Sequence, residues 1–272
     1  MHAQARQYHW NGDGWLSIKT FTGGRAHYAV GPGHHAVDKT SYLVLNEGQT
    51  YTISIDSKSP VESFCIFFAP GFAEDVERNL SSKPEQLLDK PQADSRVPVH
   101  FFEKNYFHDA LLSPALFRLR TEYKNHDRHW LTEQLHGIVE RLLRVHQIER
   151  AQTLRIEAMR ASTREELYRR VCRGRDYAAA LFSEPLTLHD LANAASLSPN
   201  HFLKSFRQVF GQTPHQFLTE CRLQEAKNLL AREQSPVTHV CLAVGFESLG
   251  SFSTLFRKRF GVPPSQFRQS KK

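Results

Sequence analysis

A mainly β amino-terminal barrel followed by an all-α carboxy-terminal domain is predicted by three observations. Residues 14–68 are short β-branched or aromatic runs separated by Gly- and Asn-containing turns. From about Ser113 onward, apolar residues recur at helical spacing instead. In the last third, "HFLKSFRQVFGQTPHQF" from His201 is written a second time as "SFSTLFRKRFGVPPSQF" from Ser251. Phe202, Phe206, Phe210, Gly211, Pro214 and Phe217 fall in gapless register with Phe252, Phe256, Phe260, Gly261, Pro264 and Phe267.

The elements follow in order. "WLSIKTF", "RAHYAV", "TSYLVLN", "TYTISID" and "VESFCIFFA" read as strands, parted by "TGG", "GPG" and "NEGQ", a spacing that suits an antiparallel barrel or sandwich. A polar stretch runs from Gly71 to about Pro98, and "VPVHFFEK" reads as one more strand. "SPALFRLRTEYKNH" opens with Ser-Pro, a good helix start. In the next helix Leu131, Leu135, Ile138, Leu142 and Val145 form a heptad-like seam that either packs on the barrel or makes a dimer interface. "ERAQTLRIEAMRAST" reads as a charged joining segment, and "REELYRRVCRGRDYAAALF" opens the carboxy-terminal domain. The expected domains are a barrel over 1–128, dimerisation or linker helices over 129–162, and the helical domain over 163–272.

A chain of 272 residues with 40% hydrophobic and 11% aromatic content has material for two cores. Its net charge of +7 is unevenly placed. Residues 183–272 hold 11 Lys/Arg against 6 Asp/Glu, whereas the first 182 hold 24 against 22. The basic third is the repeated third, which permits an acidic partner. The four cysteines (Cys65, Cys172, Cys221, Cys241) are scattered, as reduced thiols of a cytosolic protein would be. No signal-type apolar stretch opens the chain, and "FCIFFAPGF" is too short to span a bilayer, so a soluble, cytoplasmic protein without membrane partners is expected.

Each repeat carries three Phe at i, i+4 and i+8, one face of a helix and hence core. Gly211 and Gly261 sit where helix C-caps favour glycine. Upstream of each lies a second short helix. The first is "TLHDLANAASLS", with Thr187 as N-cap and Leu188, Leu191 and Ala192 inward. The second is "SPVTHVCLAVGFES", with Val237, Val240 and Cys241 inward. Two short helices joined by a tight turn describe a helix-turn-helix, once over about 187–210 and again over about 236–260.

These residues resemble the AraC/XylS-type transcriptional regulators. The resemblance covers roughly Arg164 to Gln269, and it rests on "LTLHDLANAASLSPNHFLKSFRQVFGQTPHQFL", "CRLQEAKNLL" and "VTHVCLAVGFESLGSFSTLFRKRFGVPPSQFR". The upstream part is similar to the cupin-like sensor and dimerisation domain that many members carry. The resemblance implies sequence-specific binding to double-stranded DNA at an asymmetric site spanning two major-groove segments. It further implies a homodimer, a small-molecule effector in the barrel and contact with RNA polymerase.

Base contacts are expected from Asn200, Leu203 and Lys204 in the first reading helix, and from Leu249, Gly250, Ser253 and Thr254 in the second. The second set departs from the family's polar or basic habit, so weaker hydrogen-bonded readout is expected there. His201, Arg207, Arg257, Lys258 and Arg259 are phosphate-contact candidates. His34, His35 and Glu47 do not match the spacing of metal-binding cupins, so no metal or cofactor is expected. No nucleophile elbow, phosphate loop or paired-carboxylate motif supports catalysis. Two rivals stand beside the ligand-responsive regulator: a ligand-free regulator governed by abundance or a protein partner, and a cupin-type enzyme with a DNA-targeting domain.

Overall fold

The structure is a computed structural model describing residues 1–81, 98–157, 160–232 and 235–269. These divide into two units, Met1–Arg169 and Arg170–Lys272, with the boundary inside one helix.

In the first unit, seven antiparallel strands form a barrel-like sheet: β1 (His2–Asp13), β2 (Ser17–Thr22), β3 (Ala26–Val30), β4 (Gly33–Val37), β5 (Ser41–Leu45), β6 (Thr50–Phe67) and β7 (Asn105–Phe107). Their order is β4-β3-β6-β2-β5-β7, with β1 added on β6. The two strands expected at "TYTISID" and "VESFCIFFA" are one long β6, whose first half pairs β3 and whose second half pairs β2. Pro60 sits at the irregularity where the pairing with β1 shifts register, and such bulges are among the places where a strand accommodates proline. His34 and His35 lie on β4, opposite Ala29 and Tyr28. The strand expected at "VPVHFFEK" does not form over 98–104, Val97 lies outside the described residues, and pairing with β5 begins only at Asn105. The polar stretch after Gly71 begins with a helix, α1 (Phe72–Ser81).

Both faces of the sheet are covered, so β5 is buried along its whole length and β2 at every residue but Thr22. Phe21, Tyr28, Val30, Leu43, Leu45 and Ile53 point into the barrel. Ile18, Tyr42, Val44, Phe64 and Ile66 point outward against α1, α2 (Ser113–Glu122) and α3 (Arg128–Thr153). The seam of α3 is spent here. Ile138, Leu142 and Val145 are buried in this outer core, and Leu131 and Leu135 pack against it. All five side chains pack against this outer core within the chain. Nor does α3 end at the seam, since Glu149–Thr153 of the expected joining segment are its last residues. Lys104, which is almost fully buried, donates to Glu149 and to the Tyr168 hydroxyl (3.0 Å), tying the barrel to α3 and to the part of α4 (Ala161–Ala180) that belongs to this unit.

The second unit holds α5 (Leu188–Ala194), α6 (Pro199–Phe210), α7 (Pro214–Arg232), α8 (Val237–Ala243), α9 (Leu249–Phe260) and α10 (Pro264–Gln269). A Cβ on Gly174 of α4 would come within 2.5 Å of the Phe202 ring and 2.9 Å of the Leu191 carbonyl, so glycine lets α4 seat against the first helix pair. Among the described residues no helix is long and apolar enough to cross a membrane. All four cysteines are free, and Cys65, Cys172 and Cys241 are buried.

His146 of α3 lies against Phe101 and Phe102 with ring centroids 5.4 and 5.1 Å away. Desolvation, assisted by Arg150, pushes its pKa down to about 4. The unfolded chain therefore takes up a proton between about pH 6.5 and pH 4 that the folded chain refuses, and stability falls as pH drops through that window. Urea unfolding of the chain near pH 5 is expected to show a lower midpoint than near pH 7, with the difference reduced in His146→Phe; an unchanged difference in that variant would contradict this.

Candidate functional site

The two helix-turn-helix units are congruent ring by ring. The centroid separations are 5.4 Å for Phe202–Phe206 and 5.6 Å for Phe252–Phe256. They are 4.7 and 4.6 Å for Phe206–Phe210 and Phe256–Phe260, and 5.9 and 5.7 Å for Phe206–Phe217 and Phe256–Phe267. Such tilted and edge-on packing suits the ring quadrupoles. Phe202, Phe206, Phe252 and Phe256 are completely buried. Both stripes end in left-handed glycines, Gly211 (φ 69°) and Gly261 (φ 83°), whose amides bond the Arg207 and Arg257 carbonyls.

Upstream, Thr187 and Asp190 make a capping box for α5, and the hydrogen bonds from Thr187 hold the Asp190 carboxyl below its usual range. Leu191 and Ala192 are buried as expected, whereas Leu188 is half-exposed. Each turn needs one left-handed residue. In the second unit it is Gly245 (φ 86°); 49 positions earlier the first unit uses Ser196 (φ 53°). A serine there bears a backbone cost that glycine avoids.

With the rings inward, the opposite faces are open. Asn200, His201, Lys204 and Arg207 are exposed on α6, and Leu203 is half-buried. On α9, Leu249, Gly250, Thr254, Arg257 and Lys258 are exposed, and Ser253 is half-buried. Each helix therefore presents its expected residues on one side. Arg259 is the exception: its guanidinium Nε lies 2.8 Å from both oxygens of Glu220 on α7, holding that carboxyl's pKa down. It braces α9 to α7 while its own side chain stays about half exposed. Sequence reasoning had no signal for a partner 39 residues away.

The connecting helix α7 is 19 residues long, roughly 28 Å at 1.5 Å per residue. Phe217 anchors its start under the first stripe, and Lys227 covers the Phe260 ring at 5.0 Å near its end. Between them, Arg222 donates from Nε to the Phe182 carbonyl (2.7 Å) and from Nη2 to the Glu184 carbonyl (2.8 Å). The same guanidinium lies 5.9 Å from the Phe246 ring. One side chain thus joins the loop before the first unit, the connecting helix and the turn of the second, and the planar fork of arginine suits that task.

The first unit contains a cavity of about 380 Å³ inside the sheet. Its walls are mostly apolar: Phe21, Tyr28, Ile53, Ile55, Val61 and Phe67, with Lys19 and Cys65 among them. Tyr8, Trp10 and Trp15, all substantially exposed, also line it. His35 is buried beside Glu103 at 3.4 Å, and Gln49 donates to the same carboxylate at 2.8 Å. Among the described residues no three His, Cys, Asp or Glu side chains converge as a metal site would require.

Residues 191–270 match a family described as a helix-turn-helix domain. "Probable transcriptional regulator LumQ" of Photobacterium leiognathi is 24% identical over 78% of this chain and 85% of its own length. "RCS-specific HTH-type transcriptional activator RclR" of Escherichia coli K12 is 39% identical, but over only 30% of this chain and 29% of its own length. Two further relatives share this narrower match; the chain covers 28% of an uncharacterised Haemophilus influenzae regulator at 37% identity and 32% of Escherichia fergusonii RhaS at 34%. A solved "probable AraC family transcriptional regulator" from Rhodopseudomonas palustris is 31% identical over 38% of this chain and 97% of that one, with a TM-score of 0.36.

Residues 191–270 of this chain carry a helix-turn-helix domain of the kind these transcriptional regulators share. The carboxy-terminal unit holds that domain as two helix-turn-helix motifs in tandem, and the amino-terminal unit is the barrel-like sheet with helices on its outer face. In this AraC-type domain the two turns differ in how they carry their left-handed residue, and that difference is measurable. A Cβ at Gly245 would meet the Ser183 carbonyl at 2.6 Å on top of its positive φ. Gly245→Ala is expected to cost about 2–4 kcal/mol, whereas Ser196→Gly is neutral or stabilising by up to about 1 kcal/mol. Chemical unfolding of the two variants checks this, and equal losses would contradict it.

Proposed function

We propose that this regulator reads an asymmetric DNA site with both helix-turn-helix units, and that a small molecule in the barrel cavity shifts the populations of states that present them. The observation that carries the DNA reading is the pair of congruent Phe-backed units with unlike outward faces. Congruent backs let two helices enter successive major-groove segments, and unlike faces let them read different bases. Asn200 and Lys204 suit adenine and guanine edges; Leu249, Gly250, Ser253 and Thr254 offer apolar contact to thymine methyls and a close fit to groove shape. Arg207, Arg257 and Lys258, with His201, serve the phosphates.

The open barrel supports the effector over a ligand-free regulator, since a barrel controlled only by a partner has no need of an aromatic-lined cavity. LumQ and RhaS are named as regulators alone and AdaA of Bacillus subtilis as a bifunctional activator and DNA repair enzyme; this chain is read with the former, as a regulator. It acts in the cytoplasm, where DNA and RNA polymerase are, as a homodimer.

Lys204→Ala is expected to relax sequence preference, losing about 1–3 kcal/mol of discrimination at one position. Lys258→Ala is expected to weaken all sequences alike and to lower the slope of log affinity against log salt by about one. Footprinting with salt titration of both variants separates the two roles, and equal loss of specificity would refute the division.

A further inference from the structure

Lys19 occupies a position where the barrel otherwise places apolar side chains. On β2, Ile18 faces the outer helices while Lys19 and Phe21 face the cavity. Lys19 is 2% exposed, yet among the described residues no Asp or Glu pairs with it. What surrounds its ammonium is weaker: the Tyr51 hydroxyl at 3.2 Å and the faces of Phe67 and Tyr51 at 3.9 and 5.1 Å. An ammonium has three donors, and one phenol oxygen uses one of them. Desolvation pushes its pKa down to about 8, so the group is still mostly charged near neutrality.

The other titratable groups facing it leave that charge uncancelled. Cys65, its cross-strand neighbour on β6, is kept protonated by burial, as are Tyr28 and Tyr51, the latter pushed up to about 12. Asp13 at the rim accepts from Thr50, and the Met1 amino group donates to the Cys65 carbonyl at 2.6 Å. Tyr8 completes the set on β1.

We propose that Lys19 is the anion-binding end of the cavity and that its ligand is a small apolar monocarboxylate. This rests on the effector reading above and specifies it. Lys19 is the one Lys, Arg or His side chain among the described residues lining the cavity, and it matches a single carboxylate, whose oxygens take the donors Tyr51 leaves over. Phe21, Tyr28, Ile53, Ile55, Val61 and Phe67 take the apolar body, and the volume of about 380 Å³ suits one toward the lower end of the drug-sized range. Entry passes Tyr8, Trp10 and Trp15. A polyhydroxylated sugar would leave its hydroxyls facing aromatic and aliphatic walls unpaired.

The test is calorimetric titration of the full chain with 3-phenylpropanoate and with its neutral primary amide. Near pH 7 the acid is expected to bind about tenfold or more tighter than the amide. Between about pH 7 and pH 9.5 the acid's affinity is expected to fall by about tenfold or more as Lys19 loses its proton, while the amide's holds. Lys19→Met, close in volume, should erase the preference for the acid and keep the amide within about threefold of its original affinity. Equal binding of acid and amide by the unmodified chain, or a preference that survives Lys19→Met, would overturn the anchor and leave the effector reading standing. Binding of neither probe would overturn both.

Discussion

Burial of two phenylalanine spines is the constraint on which the DNA-binding half depends. Each spine fixes the rotation of its helix about its own axis, because a helix that hides Phe202 and Phe206 has no choice about which residues it turns outward. The same holds for Phe252 and Phe256. The faces that meet DNA are therefore free to differ while the backs stay the same, which is what a chain needs to read two unlike half-sites with one architecture. Arg222, Glu220–Arg259 and Lys227–Phe260 then set the two units on one connecting helix. Breaking one of those contacts disturbs spacing more than chemistry.

The barrel follows a different logic. Its sheet is covered on the outside by α1, α2 and α3, so the inward positions are left to decide between a packed core and a cavity. Small and aromatic side chains stand back from the centre, and a lysine takes a position whose neighbour is a phenylalanine. Stability alone favours an apolar residue there, because a buried ammonium without a carboxylate is costly. A ligand that supplies the missing negative charge converts that cost into affinity.

The helix-turn-helix units were legible because their signals are local: ring spacing, C-cap glycines and a capping pair all lie within a dozen residues. What the sequence hid depends on distant pairing. β1 reads as polar because Ala3 and Ala5 face the cavity at odd positions and Tyr8 and Trp10 at even ones. An irregularity between Ala5 and Gln7, opposite Ser57–Pro60 of β6, resets the alternation, so no period of two survives along the strand. The α3 stripe fitted a dimer seam and a packed helix equally, because periodicity records that a face is buried and not by what. Arg259 reads as part of a basic edge, while its carboxylate partner stands on another helix. Lys19 was invisible as a site for the same reason: an alternating strand with one polar residue reads as half-solvated unless helices are known to cover its other face.

Hydroxyl-radical footprinting of the full chain on a bound genomic fragment tests the central claim most directly. Two protected stretches on one face of the duplex, centred about one helical turn apart and unlike in sequence, are what paired Phe-backed units require. A single protected stretch, or two displaced by half a turn onto opposite faces, would contradict it.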